Sequence, residues 1–285
     1  MTQPPAPAPI IDTHCHLDPA YLPEGPDAVL DRAMRVGVRG FVVVGVGATP
    51  EAARAAVALA RARPYVVASV GIHPHDASSA DEAHAGEIER LAGDPRVATV
   101  GEVGLDYHYD RSPRATQREV FRRFIALARA QQKPLVIHTR SAPDDTLALL
   151  REGSAAEVGG VIHCFSEDRA FARAALDLGF DLSFSGIVTF KNARAVQDVA
   201  AWAPADRILV ETDSPYLAPL PLRGKRCEPA FVVHTLAKVA ELRGLSPADV
   251  ARLTTENALR RFGPGLAPAA GPQAAPPDPA GGAAP

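Results

Sequence analysis

The run IIDTHCH near the start of the chain places His14 and His16 one residue apart, in a sequence with nine histidines. Side chains two apart on an extended strand share a face. His14 and His16 are therefore expected on one side, with Thr13 and Cys15 on the other. Two imidazoles at that spacing can chelate one ion. Further along, single polar groups close other short apolar runs: Glu102 in GEVGLD, His138 in VIHTR, His163 in VIHCF and Asp213 in VETDSP. One histidine on an apolar run is ordinarily a hydrogen-bonded core residue. Several such groups gathered in one place are another matter, because buried charges are costly without partners, and cations satisfy imidazoles and carboxylates together. Four histidines and two carboxylates exceed one tetrahedral site and suit two neighbouring ions, with Glu102 as the bridge. No thiolate belongs to the set, which leaves zinc, manganese, cobalt and magnesium all open.

The elements that would gather these groups are legible as alternation. Eight β-branched runs recur: IIDTHCH, GFVVVGV, YVVASVGIH, VATVGEVGLD, PLVIHTR, GGVIHCF, FDLSFSG and RILVETD. Segments rich in Ala, Leu, Arg and Glu follow them with helical periodicity, such as EAARAAVALARA. Eight strand–helix units predict an α/β fold, a (β/α)8 TIM barrel. An open doubly wound sheet is the rival, but no Gly-rich dinucleotide fingerprint follows the first strand. In a barrel the six groups, from strands one, four, five, six and eight, converge on the C-terminal mouth, where barrel active sites are built. The segment SPADVARLTTENALRRF, with Ser246 and Pro247 placed for an N-cap and first turn, predicts an extra C-terminal helix. One domain is expected over residues 10–262. Residues 1–9 and the Pro/Ala/Gly-rich tail 263–285 have compositions that predict flexible or disordered ends.

A net charge of −3 excludes coating of nucleic acid by bulk electrostatics and leaves only local contact. Cys15, Cys164 and Cys227 have no zinc-ribbon or redox spacing, so packing is their expected role and a reducing, cytoplasmic setting fits. Neither a secretory leader nor a membrane span is expected from the composition, and no obligate protein partner is expected. In GIHPH, His73 and His75 end strand three, where they either touch substrate or make capping or turn hydrogen bonds, and His73, nearer the strand, is the better candidate for touching substrate. Arg223, Lys225 and Arg226 of RGKR follow strand eight on the same mouth, where they either grip a nucleic-acid backbone or form a solvated loop. Tyr107 and Tyr109, after strand four, either stack on a splayed base or wall the pocket. Arg114, Arg118 and Arg122 form a helical stripe of the kind that is ordinarily an exposed face. His84, His108 and His234 receive no role.

In order along the chain, DTHCHLD, GIHPH, GEVGLDYH, IHTRSA, IHCFSE, SFSGIVTFKNA, VETDSPYLAPLPLRGKRCEP and TTENALRRF resemble the successive motifs of the TatD family of metal-dependent hydrolases, a branch of the amidohydrolase superfamily. The resemblance runs from about Ile10 to Phe262. It implies a TIM barrel holding two divalent ions, with His14, His16, Glu102, His138, His163 and Asp213 as ligands. Family members are described as deoxyribonucleases, often 3′ to 5′ exonucleases on single strands, and some relatives are linked to D-aminoacyl-tRNA deacylation. The expected activity is therefore phosphodiester hydrolysis of single-stranded DNA, with Asp213 orienting a water and taking its proton and Glu102 spanning the ions. The alternative is a metal-dependent amide or ester hydrolase such as a deacylase. A binding protein without chemistry is disfavoured by the complete ligand set. Two positions depart from the family pattern: Cys227 where Asn is usual, and Glu167 where Gly is usual. A carboxylated lysine bridge, as in other branches, is not expected, because Glu102 occupies that place.

Overall fold

The computed structural model of the protein describes residues 8–18, 22–263 and 265–269. Eight strands lie parallel in one sheet in sequence order: β1 (Ile10–Cys15), β2 (Val38–Gly45), β3 (Val66–Val70), β4 (Val97–Asp106), β5 (Leu135–Arg140), β6 (Gly160–Ile162), β7 (Phe180–Phe184) and β8 (Ile208–Val210). The strands are rich in Val, Ile and Leu because both faces are covered, the outer one by helices and the inner one by the opposite wall. Closure comes just past β8. Cys15 pairs with Ser214, the His16 N–H donates to the Ser214 carbonyl at 2.8 Å, and the Asp213 N–H donates to the His14 carbonyl at 2.9 Å. The seam of the barrel thus runs directly through three of the predicted site residues.

Helices α1 (Gly25–Arg35), α2 (Glu51–Ala62), α3 (Glu82–Ala92), α4 (Arg114–Ala130), α5 (Pro143–Glu152), α6 (Arg169–Asp177), α7 (Arg194–Trp202) and α8 (Val232–Arg243) alternate with the strands. This is the (β/α)8 barrel predicted from the alternation. The extra helix, α9 (Pro247–Phe262), begins where expected: Ser246 Oγ accepts from the Asp249 N–H at 3.1 Å, and Pro247 sits in the first turn. Its Ala258 and Phe262 pack against Ile11, Val42, Val67, Val136, Val161 and Leu209, closing the end of the barrel opposite the site. Asp181 of β7, fully buried, accepts from Arg207 Nε at 2.6 Å and from Arg261 Nε of α9 at 2.8 Å, which ties the closing helix to the wall.

The packed chain continues beyond the expected boundary at Phe262. Leu266 is 1% exposed and completes the same apolar cluster, and the Ala269 N–H donates to the Arg39 carbonyl at 2.7 Å. One buried leucine together with hydrogen bonds at Gly265, Ala267 and Ala269 docks a segment whose composition otherwise reads as tail. Residues 1–7 and 270–285, the rest of the expected flexible ends, lie outside the described residues. No helix among the described residues is long and apolar enough to cross a membrane.

Candidate metal centre

Local irregularities, rather than regular strands, aim the site. Between Asp12 and Cys15 the pairing of β1 with β2 shifts register. Thr13 Oγ1 lies 3.1 Å from Ser183 Oγ of β7, so Thr13 and its neighbour His14 both reach the barrel interior. The predicted alternation of His14 and His16 against Thr13 and Cys15 is therefore broken by a bulge. His16 falls one residue past the strand, and the two imidazoles still converge, with their Nε2 atoms 3.3 Å apart. Glu102, predicted to close its strand, instead stands inside β4, which runs on to Asp106. Gly104, between them, has φ +143° and lies opposite His138. A Cβ there would sit 1.9 Å from the His138 carbonyl oxygen, so only glycine lets β4 and β5 approach this closely.

All six predicted ligands meet at one place. Glu102 Oε2 lies 3.4 Å from His14 Nε2 and 3.9 Å from His16 Nε2, and Asp213 Oδ1 lies 3.5 Å from His16 Nε2 and 3.8 Å from His14 Nε2. Glu102 Oε1 turns the other way, 2.8 Å from His138 Nδ1, 2.9 Å from His163 Nε2 and 3.3 Å from His73 Nε2. One carboxylate thus presents one oxygen to each of two clusters of nitrogen and oxygen donors. Burial alone would raise the Glu102 carboxyl. The imidazoles of His163, His73, His138 and His14 outweigh it and hold the group well below the usual carboxylate range.

Hydrogen bonds on the far side of each ring fix which nitrogen is free. His163 Nδ1 faces Glu211 Oε1 at 3.1 Å, and His138 Nε2 faces Asp106 Oδ2 at 3.1 Å. With those nitrogens carrying the proton, His163 Nε2 and His138 Nδ1 turn lone pairs toward Glu102 Oε1. His73 is the opposite case. Its Nδ1 accepts from the His75 N–H at 3.1 Å, so the neutral ring carries its proton on Nε2, and burial pushes its pKa down to about 4. His73 is accordingly a hydrogen-bond donor into the cavity rather than a lone-pair donor. Two buried atoms in the same neighbourhood, His14 Nδ1 and Glu211 Oε2, have no hydrogen-bond partner. Nitrogen and oxygen donors gathered without enough protons between them, with orphaned atoms at the margin, fit divalent cations.

Sequence reasoning missed three buried carboxylates. Asp106 Oδ2 accepts from His75 and His138, and its Oδ1 accepts the N–H groups of His108 and Tyr109. Glu211 Oε1 accepts the Cys164 N–H at 2.7 Å as well as facing His163. Asp12 accepts from Thr212 through both N–H and Oγ1, and burial pushes its carboxyl up to about 8. Each shares a motif with a residue already chosen, GEVGLD, VETDSP or DTHCH, and the available signal was a second acid inside a run buried on both faces.

The site opens into a cavity of about 730 Å³, walled by His16, His73, His75, Glu102, Asp106, His138, His163 and Asp213 together with Cys164, Tyr109, Arg111, Arg140 and Tyr216. Arg223, Lys225 and Arg226 are exposed on the loop after β8 and do not line it, and Arg223 instead lies over the Phe190 ring at 4.5 Å. Of the two tyrosines, Tyr109 walls the cavity. Tyr107 turns outward, where its hydroxyl donates to Asp145 at 2.6 Å. Arg114, Arg118 and Arg122 pair with Asp110, Asp145 and Glu152 on the outer surface. Cys15 and Cys227 are buried away from the cavity, whereas Cys164 lines it with Sγ 3.2 Å from Ser185 Oγ. Neither Cys227 nor Glu167, the two departures from the family pattern, borders the cavity.

Residues 11–263 match the family described as TatD related DNase. The chain is 43% identical over 256 residues to a protein of Escherichia coli (strain K12) named an uncharacterized metal-dependent hydrolase, YcfH, covering 89% of this chain and 95% of that one. It is 31% identical over 258 residues to the 3'-5' ssDNA/RNA exonuclease TatD of Salmonella typhimurium, covering 89% and 98%. Among solved structures, the Escherichia coli YJJV protein, a TatD homolog, superposes with a TM-score of 0.81 at 27% identity over 90% of this chain and 97% of that one.

Proposed function

The chain belongs to the TatD family and is a metal-dependent hydrolase, and from that premise we propose that it cleaves phosphodiester bonds of single-stranded DNA at a centre of two divalent ions, from the 3′ end. The observation that carries this reading is the division of Glu102, one oxygen toward His14 and His16, which Asp213 also faces, and the other toward His138 and His163. His14, His16, Asp213 and Glu102 Oε2 would hold one ion, and His138, His163 and Glu102 Oε1 the other. Such a pair lowers the pKa of water to about 7 and stabilises the charge on attacking and leaving oxygens.

The chain's own residues do the rest. Asp213 is held in its charged form: burial would raise it, but His16, His163 and His14 outweigh that and lower it, and a carboxylate in that place can accept a proton from water. The seam hydrogen bond from its N–H to the His14 carbonyl fixes where that carboxylate stands. His73 offers Nε2–H to a phosphate oxygen. Asp106 and Glu211 orient His138 and His163 from behind. Arg223, Lys225 and Arg226 stand outside the cavity wall, in reach only of nucleotides beyond it.

The name of the Salmonella relative supports nucleic acid as the substrate. The test is a side-by-side assay of metal-replete protein on 3′-labelled single-stranded DNA and on D-aminoacyl esters. Prompt release of labelled mononucleotide is expected. Ester turnover with intact DNA would transfer the function to the deacylase class.

A further inference from the structure

Among the described residues, the cations that line the cavity are Arg111 and Arg140, and neither has an ion pair or a side-chain hydrogen bond. Their neighbours on α4 behave differently: Arg114, Arg118, Arg122 and Arg123 are each matched to a carboxylate. What holds the two free guanidiniums is Tyr109. The guanidinium carbon of Arg140 lies 4.7 Å, and that of Arg111 5.5 Å, from the centroid of its ring. An aromatic face orients a guanidinium without neutralising it, so the charge and the N–H fork remain available to an anion. Asp76, also on the wall, feels the charge of Arg111 but makes no ion pair with it.

The platform is registered to the metal centre. Asp106 Oδ1 accepts the Tyr109 N–H at 2.8 Å while its Oδ2 faces His138 Nε2 at 3.1 Å, and the Tyr109 ring meets His75 edge-on at 5.4 Å. Arg140 itself follows His138 by two residues on β5 and pairs in register with Asp106. One buried carboxylate therefore sets both a predicted ligand and the surface that carries the two arginines.

We infer that Arg140 and Arg111, arrayed on Tyr109, bind a second phosphate of the substrate, the one flanking the scissile linkage. This rests on the phosphodiester reading of the site and extends it to specificity. A substrate must then present two phosphates, which selects a nucleic-acid strand over a simple phosphodiester. Planar N–H forks suit the paired oxygens of a phosphate. The carboxylates on this wall repel an anion, and Arg111 and Arg140 are the arginines among the described residues that line it.

Arg140→Gln, Arg111→Gln and the double variant test this against single-stranded DNA and against bis(p-nitrophenyl) phosphate, which has a single phosphate. For DNA, each single variant is expected to raise KM about 10- to 100-fold, the scale of one charge-assisted contact. The slope of log affinity against log salt should also fall by about 0.7 per arginine. Turnover of bis(p-nitrophenyl) phosphate should stay within about twofold of the parent. A neutral methylphosphonate at the linkage flanking the scissile one should slow the parent by the same factor and cost the double variant nothing further. The proposal is overturned if DNA is cleaved with KM and salt slope unaltered, or if both substrates lose equally. Indifference of the parent to the methylphosphonate also overturns it, and that arm needs no variant to fold. A parent that cleaves neither DNA nor bis(p-nitrophenyl) phosphate would instead remove the phosphodiester reading, and this subsite with it.

Discussion

Asp213→Asn separates chemistry from architecture at the barrel seam. The backbone of Asp213 has φ +56°, a left-handed conformation that asparagine tolerates nearly as well as aspartate, and its N–H bond to the His14 carbonyl does not involve the side chain. The fold should therefore survive unchanged. The amide oxygen can still face His16, now 3.5 Å from Asp213 Oδ1, so at least one ion should remain bound through His138, His163 and Glu102. What disappears is the negative charge and the ability to accept a proton. General-base catalysis contributes about 10²- to 10⁴-fold, and at about 1.4 kcal/mol per tenfold the barrier should rise by about 2.8–5.6 kcal/mol. The assay is kcat and KM on single-stranded DNA with bound metal measured on the same samples. A fall in kcat of that order, with KM within about threefold of the parent, is expected. Cleavage at the parent rate would refute the role of Asp213, and loss of all metal would show that the residue acts as a ligand before it acts as a base.

Glu211→Gln removes the charge behind His163 Nδ1 and should weaken metal binding about 10- to 100-fold, with activity restored by excess Mn²⁺. Calorimetric titration of metal into chelated protein checks it, and unaltered affinity would reduce Glu211 to a packing role. Leu266→Ala empties a position that is 1% exposed under the barrel, and a loss of about 2–4 kcal/mol is expected. At about 2–4 °C per kcal/mol for a domain of this size, Tm should fall by roughly 4–16 °C. Turnover at low temperature should stay unchanged, since α9 and Leu266 close the end away from the site; an unaltered Tm would mean that the segment does not dock.

How much of this was legible in the sequence follows from what each residue's signal depends on. Eight apolar runs alternating with helical periodicity predicted the parallel barrel because both patterns are local. The six candidate ligands stood out for a related reason, as lone polar groups in otherwise apolar runs. Their aim was not legible. His14 and His16 were expected to converge by strict alternation, and they converge through a bulge that no residue type announces. Glu102 was placed at a strand end and lies inside β4, because β4 continues through the glycine-permitted approach to His138. Asp106 and Glu211 were passed over since each shares a motif with a more conspicuous acid, and their roles depend on rings from other strands. The basic loop RGKR drew notice as a cluster, whereas Arg111 and Arg140, far apart in sequence, are the cations that the barrel brings to the cavity.

A two-ion hydrolytic centre bridged by Glu102 stands or falls on cleavage of 3′-labelled single-stranded DNA by chelated protein as Mn²⁺ is added back in known equivalents. No cleavage is expected without metal, and the rate should rise to a plateau at about two equivalents per chain, four imidazoles and two carboxylates being more than one site needs. Full activity in the presence of chelator, or saturation at one equivalent, would contradict it.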